Sequence, residues 1–245
     1  MRSRRLYFPQ LLKAQSYQLT HQEPQFHYLA NVLRVKVGQQ FNLFNGQGLI
    51  ASAILVQASK KLLQLDITDV EHLTPGSLGL HLMLSVSKGD RMDYALQKST
   101  ELGVTAVTPL WSERGEVKLN QDRLDKKMGH WQGVITSACE QSYQNFCPQL
   151  HAPVTLADLK IEPLVHEQHL MCDLIGTTFK TMAYGLEPKM VIVYVGPEGG
   201  WSDEEKHNFQ SSGVQAVRLG PRVLRTETAP VVMLTLCQYF WGDFS

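Results

Sequence analysis

The sequence predicts an α/β protein in which a mostly parallel sheet follows a smaller β-rich domain. Three observations predict it. The 245 residues are 43% hydrophobic, which is enough for a substantial core. Before about residue 70, short strand-like segments are separated by turns. After residue 77, strands alternate with helical segments, which is the pattern of βαβ units whose helices connect parallel strands.

The first 70 residues indicate a small β-barrel with one short helix. Its expected strands are 40–45, 49–57 and 62–67. The dipeptide Asn45-Gly46 is a strong hairpin signal between the first two, and Ser59-Lys60-Lys61 supplies the next turn. The short helix spans 24–34, because Phe26 and Leu29 fall on one face.

The remaining chain contains six expected strands, with two expected helices between them and a third after the last strand. The strands are 80–86, 104–110, 151–154, 169–174, 190–195 and 214–219, and the helices are 90–102, 123–141 and 230–241. The last helix is apolar all round, which indicates burial, in part against another subunit.

The segment 71–77, with Pro75 and Gly76, is the best linker candidate. We therefore expect a β-barrel domain in 1–72 and a parallel-sheet domain in 73–245. The 23 basic and 23 acidic residues of the chain are unevenly distributed. Residues 1–75 contain eight basic and four acidic side chains, a net charge of +4, so the rest carries −4. This asymmetry indicates a polyanion partner for the first part, although a chance fluctuation explains it equally well.

Composition excludes several classes of protein. No window approaches the ~18 consecutive apolar residues of a membrane span, and the basic N-terminus has no apolar segment after it, unlike a secretory signal. The four cysteines lack C-x-x-C spacing, so we expect reduced thiols, no metal site and a cytoplasmic protein. Neither a Rossmann G-x-G-x-x-G nor a P-loop motif is present.

Two loops at strand ends carry the candidate chemistry. The apolar strand 190–195 runs into Gly196-Pro197-Glu198-Gly199-Gly200-Trp201, and Ser202 with Glu205 forms a capping box for the next helix. A Gly-rich turn at the carboxyl end of a parallel strand is where α/β folds bind ligands, although a merely tight turn has the same pattern. The second loop, 219–230, follows another strand, with Thr228 as the expected N-cap of the last helix and Pro230 in its first turn.

Both loops, with Lys88-Gly89-Asp90-Arg91-Met92-Asp93, the segment 97–103 and the N-terminal segment 27–34, resemble the RsmE family, the 16S rRNA uridine N3-methyltransferases of the SPOUT (trefoil-knot) superfamily. The resemblance implies a PUA-like first domain, a knotted methyltransferase domain in which the two loops thread through each other, a homodimer, and S-adenosylmethionine as cofactor. The implied cofactor contacts are Gly196, Glu198, Gly199, Gly200, Leu219, Gly220, Leu224, Arg225 and Thr228, with the end of the strand at Cys172-Asp173 as a weaker candidate.

Methylation at uracil N3 requires stabilisation of the anion that forms as the proton leaves. Arg225 and Arg222 are the candidate cations, and Glu198 and Glu227 are the nearby carboxylates, whose part as proton acceptor is open. The expected RNA contacts are Arg4, Arg5, Arg34, Lys88, Arg91 and Gln144, where Gln144 stands in place of an Arg common in the family. Two alternatives stay open: a SPOUT enzyme acting on another rRNA or tRNA nucleotide, and a non-catalytic ribosome-assembly binder.

Overall fold

The computed structural model describes residues 4–11, 13–117 and 120–244. Its contacts divide the chain into two compact units. The first is formed by Met1–Pro75 with Cys139–Cys147, and the second by Gly76–Ala138 with Pro148–Ser245. The return of Cys139–Cys147 to the first unit has no signal in the sequence, because it depends on contacts made far along the chain.

The first unit is built on a five-stranded sheet. The strands are β1 (Arg5–Tyr7), β2 (Gln15–Thr20), β3 (Gln40–Phe44), β4 (Leu49–Ala58) and β5 (Leu62–His72), in the spatial order β1-β3-β4-β5-β2. β1 and β3 are parallel, and the other neighbours are antiparallel. Between β2 and β3, α1 (Pro24–His27) continues into a π-helical turn, Tyr28–Val32, so the expected helix is present but irregular.

Local hydrogen bonds explain the β3–β4 hairpin. The Asn45 side-chain oxygen accepts the backbone N–H groups of Gln47 and Leu49 at 2.8 and 3.0 Å, and Gly46 adopts a φ of +76°, which favours glycine. The apolar side chains of this sheet then pack into one core. Its buried members are Leu6, Phe8, Leu11, Leu19, Phe26, Leu29, Phe41, Leu43, Ala51, Ala53, Leu55, Leu63, Leu65 and Ile67.

The second unit is an α/β layer structure on a seven-stranded parallel sheet, which confirms the expected fold class. Its strands are β6 (Gly79–Ser85), β7 (Ala106–Trp111), β8 (Gln149–Leu150), β9 (Val154–Thr155), β10 (Glu167–Thr178), β11 (Met190–Val195) and β12 (Gln215–Arg218). The spatial order is β12-β10-β11-β6-β7-β8, with β9 beside β7. The helices are α2 (Asp90–Glu101), α3 (Gln121–Ser142), α4 (Phe179–Ala183), α5 (Asp203–Ser211) and α6 (Thr228–Trp241). None of those in the described part of the chain is long and apolar enough to cross a bilayer.

Three local expectations are wrong. Instead of one strand over 151–154, the two short strands β8 and β9 lie on either side of Pro153, which has no N–H to give to a ladder. β10 extends beyond the expected 169–174, and its pairing with β12 skips from Cys172 to Thr177, so residues 173–176 bulge out of the sheet. Thr228 is the first residue of α6 and not its N-cap. The N-cap is Glu227, whose side chain makes no capping hydrogen bond.

α6 is buried on one side only. Met233, Leu234 and Cys237 are fully buried, whereas Tyr239 and Phe240 are exposed at 59% and 40%. In the single chain, α6 therefore leaves large apolar side chains exposed to solvent.

Two histidines of the second sheet lie in register on either side of β11. The registers of β10, β11 and β6 align His169, Ile192 and His81. His81 Nε2 lies 2.8 Å from Thr108 Oγ1, and its ring centroid lies 5.4 Å from that of His151. Burial, followed by repulsion from the charged forms of His151 and His169, lowers the pKa of His81 from 6.5 to about 4.

This pKa makes the second unit sensitive to acid. Below pH 6.5 His81 is mostly protonated in the unfolded chain, whereas in the folded chain it stays mostly neutral down to about pH 4. Protonation therefore favours unfolding between these two pH values. Between pH 7 and pH 4.5 we expect the free energy of unfolding of the wild type to fall by about 2 kcal/mol more than that of His81→Gln, whose amide still reaches Thr108. Urea denaturation at the two pH values measures this. Equal losses in the two proteins would assign the acid sensitivity to other groups.

Candidate functional site

Three adjacent strands of the second sheet end at one cavity. β12, β10 and β11 are parallel neighbours, so their carboxyl ends open at the same edge. The cavity has a volume of about 690 Å³, within the range of small-ligand sites. Its wall is formed by the end of β10, the loop after β11 and the loop after β12. Both loops singled out in the sequence thus line one space.

The loop after β11 is folded tightly against Trp201. A Cβ added at Gly196 would lie 3.0 Å from the Trp201 ring, so a side chain there would crowd the indole. The indole is buried, and its Nε1 donates to the Cys172 carbonyl oxygen at 3.3 Å. Gly200 N–H donates to the Pro197 carbonyl at 2.9 Å, in a turn that gives Gly200 a φ of +69°.

The expected capping box closes the loop. Ser202 Oγ accepts the Glu205 N–H at 3.1 Å, and Glu205 Oε2 accepts the Ser202 N–H at 2.8 Å. Both side chains are buried. The end of the Gly-rich loop and the start of α5 are therefore held by the same pair of residues.

The loop after β12 brings a mostly exposed cation to the cavity. Leu219, Gly220, Arg222, Leu224 and Arg225 all line it. The Arg225 side chain is 80% exposed, and its Nη1 lies 3.9 Å from Glu227 Oε1. Thr228 is not part of this wall: its N–H donates to the Arg225 carbonyl at 2.8 Å, which joins the loop to α6.

Of the two candidate carboxylates, Glu198 is hydrogen-bonded and Glu227 is partly buried. Glu198 Oε1 accepts from Arg91 Nη1 at 2.8 Å, and this hydrogen bond raises the pKa of Arg91. Glu227 Oε2 is buried and accepts no hydrogen bond from a described residue, so it faces away from solvent. Glu198 is thus paired, whereas Glu227 keeps an oxygen in the cavity lining that is unpaired within the described chain. Glu198 holds Arg91 in the cavity wall, and Glu227 adds negative potential beside Arg225.

The end of β10 supplies an ion pair to the same cavity. Asp173 is almost fully buried, and its Oδ2 lies 2.8 Å from Lys206 Nζ of α5. Burial raises the pKa of the neighbouring Cys172 thiol to about 12, so this thiol is neutral near pH 7. Across residues 4–11, 13–117 and 120–244, no group of three or more His, Cys, Asp or Glu side chains is arranged to hold a metal ion.

Arg5 is the expected RNA contact that the structure contradicts. Only 7% of the residue is exposed. Its guanidinium donates to the Gln144 carbonyl at 2.8 Å and to Asn145 Oδ1 at 2.5 Å, and it lies 4.0 Å above the Phe44 ring. Burial lowers the pKa of Arg5. The side chain thus joins parts of the first unit and has no surface to offer a phosphate.

The other expected RNA contacts have side chains that are at least partly exposed. Arg4 and Arg34 are exposed, and Arg4 donates to Gln39 Oε1 at 3.3 Å. Gln144 is half-buried. In the second unit, Lys88 is exposed and pairs with Glu116 at 2.5 Å.

Sequence reasoning misses two cations of the cavity, Arg114 and Lys206. Arg114 follows β7 in a turn without a recognisable motif, and Lys206 looks like an ordinary surface residue of α5. A signal existed only for Lys206: it lies four residues after Ser202, where one turn of helix directs a side chain back towards the loop.

The conformation of Gly200 predicts a cost for any side chain there. Its φ of +69° is unfavourable for residues with a Cβ, yet a Cβ would meet nothing within 4 Å, so the strain is in the backbone alone. We expect Gly200→Ala to lower the free energy of unfolding by about 1 kcal/mol, and Gly200→Asn by less, because Asn tolerates this region better. Urea denaturation measures both. A larger loss for Asn than for Ala would refute a backbone origin.

The comparisons with known proteins agree with this geometry. Residues 74–238 match the family described as RNA methyltransferase domain, and residues 22–68 match the RNA methyltransferase PUA domain. Ribosomal RNA small subunit methyltransferase E of Buchnera aphidicola is 31% identical over 220 residues, 89% of this chain and 86% of the relative. The Synechocystis protein of that name is 33% identical over 217 residues, 86% of this chain and 69% of the relative.

A solved structure extends the similarity to the whole chain. Ribosomal RNA small subunit methyltransferase E from Neisseria gonorrhoeae, bound to S-adenosyl methionine, is 34% identical with a TM-score of 0.89, and the match covers 100% of both chains. The methyltransferase match alone spans more than half of the sequence. This chain therefore belongs to the ribosomal RNA small subunit methyltransferase E family, the one that its two loops resemble.

Proposed function

We propose that this protein uses S-adenosylmethionine to methylate N3 of one uridine in the 16S rRNA of the small ribosomal subunit. The observation that carries the proposal is the single cavity in which the Gly-rich loop after β11 and the Arg225 loop after β12 meet. Two further findings support it: this chain matches the RNA methyltransferase and RNA methyltransferase PUA domains, and relatives over most of its length are named ribosomal RNA small subunit methyltransferase E. One of these was crystallised with S-adenosyl methionine.

The cavity fits the cofactor in size and chemistry. Its volume of about 690 Å³ is ample for a nucleoside joined to an amino acid. Gly196, Gly199, Gly200 and Gly220 leave backbone groups open to close approach. The cavity wall carries both signs of charge, which suits a ligand with an ammonium, a sulfonium and a carboxylate. We assign the cofactor contacts to these glycines with Leu219 and Leu224.

When bound, S-adenosylmethionine supplies an electrophilic methyl group. The chain contributes position and charge. Arg225 stabilises the negative charge that develops on the uracil ring as the N3 proton leaves, and it cannot act as the base because guanidinium keeps its proton. Arg222, exposed on the same loop, is a second cation for this anion or for the adjoining phosphate. Glu198 acts through Arg91, which it holds in the cavity wall.

The two domains divide this work, with 1–72 as the RNA-binding domain and 73–245 as the methyltransferase domain. Arg4 and Arg34 provide exposed positive charge for phosphates in the first, and Lys88 and Arg91 do so in the second. Gln144 keeps a side-chain amide that can bond a base edge. With rRNA as substrate, we place the protein in the cytoplasm. We also infer the trefoil knot, from the family resemblance of the two loops.

The substrate is tested by nucleoside mass spectrometry. Purified protein, S-adenosylmethionine and 16S rRNA from a strain lacking this protein should yield N3-methyluridine. The same reaction on isolated small subunits shows which form is preferred. Arg225→Ala should lower the rate about 100-fold, because one charge at the developing anion is lost, and Arg225→Lys should recover part of it.

The outcome also separates the alternatives. A different methylated nucleoside, or methylation of tRNA only, would point to another SPOUT substrate. RNA binding without any methyl transfer would point to a ribosome-assembly binder. Both results would refute N3 methylation of 16S rRNA.

We further propose a homodimer that covers the exposed side of α6. Tyr239 and Phe240 lie there, and Ile175 and Val223 are exposed at 81% and 78% beside the cavity. Burial of each such side chain contributes roughly 1.5–3 kcal/mol. The dimer would therefore form next to the site.

Light scattering at micromolar concentration should show twice the 27.6 kDa mass of one chain. Phe240→Asp should shift the mass towards the monomer, because a carboxylate replaces an apolar contact. Val165→Asp is the matched control, since Val165 is 85% exposed but lies before β10, at the amino end of that strand. A single 27.6 kDa species for the wild type would exclude the dimer.

A further inference from the structure

A tight turn follows β7 and presents Arg114. Gly115 N–H donates to the Ser112 carbonyl oxygen at 3.0 Å, which closes a four-residue turn with Glu113 and Arg114 at its tip. Ser112 Oγ is in turn hydrogen-bonded to Ser85 Oγ, at the end of β6, at 3.2 Å. The turn is thus fixed to the sheet on one side and free to contact the Gly-rich loop on the other.

Arg114 contacts two carbonyl groups of that loop. Its Nη1 donates to the Gly199 oxygen at 3.4 Å and to the Trp201 oxygen at 3.2 Å. The neighbouring Glu113 N–H donates to Glu205 Oε1 at 2.8 Å. Two consecutive residues of the turn therefore hold the Gly-rich loop and the helix start that follows it.

These contacts fix two peptide planes at both ends. In the plane that joins residues 199 and 200, Arg114 binds the oxygen and the Pro197 carbonyl accepts the N–H of Gly200. In the plane that joins residues 201 and 202, Arg114 again binds the oxygen, and Glu205 accepts the N–H of Ser202. Because a peptide unit is rigid, holding its oxygen and its N–H fixes its orientation.

The glycine at position 199 fits this arrangement. A Cβ there would lie 3.2 Å from Arg114 Cβ and 3.7 Å from Arg114 Cδ. The stem of Arg114 thus crosses the loop at Gly199, and a side chain at this position would press on Arg114.

We propose that Arg114 is a positioning residue that holds the Gly-rich loop in its ligand-binding shape before the ligand arrives. The inference deepens the proposed function, on which it rests for the identity of the ligand, S-adenosylmethionine. A loop that is already ordered loses less conformational entropy on binding, so pre-organisation raises affinity. Without Arg114 the two peptide planes keep one anchor each, and binding must order them.

The test joins a binding measurement with one on the unliganded protein. Calorimetry with S-adenosylmethionine should show about fivefold weaker binding for Arg114→Ala, the effect of about one net hydrogen bond. Hydrogen exchange of the Gly200 and Ser202 amides, without ligand, should become faster by a similar factor, while amides within β11 keep their rates. Arg114→Lys should recover part of both effects, because an ammonium can still donate to two carbonyls.

Glu116→Ala serves as the matched control. It lies two residues further along, and its ion pair with Lys88 is mostly exposed, so its removal should change neither readout.

Weaker binding of Arg114→Ala with unchanged exchange would make Arg114 a direct ligand contact and overturn the inference. Unchanged binding in a folded variant would overturn it as well, as would a lower melting temperature with normal affinity. A wild type that binds no S-adenosylmethionine refutes the proposed function instead, and exchange still reports on the loop.

Discussion

The carboxylate of Glu205 connects parts of the site that lie far apart in the chain. It is buried, and it accepts one N–H from Ser202 at the end of the Gly-rich loop and one from Glu113 after β7. A buried charge without hydrogen-bond partners is strongly unfavourable. The Glu205 carboxylate can therefore stay buried only while both backbone amides donate to it. The start of α5, the loop after β11 and the turn after β7 therefore depend on one side chain.

The sequence predicts those features of the site that are encoded locally. The capping box of Ser202 and Glu205 and the glycines of the two loops follow from residue types within a few positions of each other. Arg114 and the second bond of Glu205 escape prediction, because each joins segments more than 80 residues apart. The sequence places the N-cap of α6 one residue too late, at Thr228, which is a good N-cap by type but whose N–H already bonds to the Arg225 carbonyl.

Arg5 shows why counting charge misleads at single positions. It contributes to the +4 of the first 75 residues, yet its guanidinium is buried against Phe44 and bonded to Gln144 and Asn145. The general asymmetry of charge still distinguishes the two parts of the chain. Which arginines face solvent depends on tertiary contacts, and the contacts of Arg5 come from a segment about 140 residues later.

That segment, Cys139–Cys147, also sets the order in which the protein can be completed during translation. The Tyr7 N–H bonds to Glu140, and the Gly46 oxygen accepts from Cys147, so the first unit lacks partners until residue 147 has been made. The ribosome adds the residues from 76 to 147 in roughly 4 to 14 seconds at about 5–20 residues per second. The amino-terminal unit must wait for much of its neighbour to be synthesised, so the nascent chain does not mature one domain at a time.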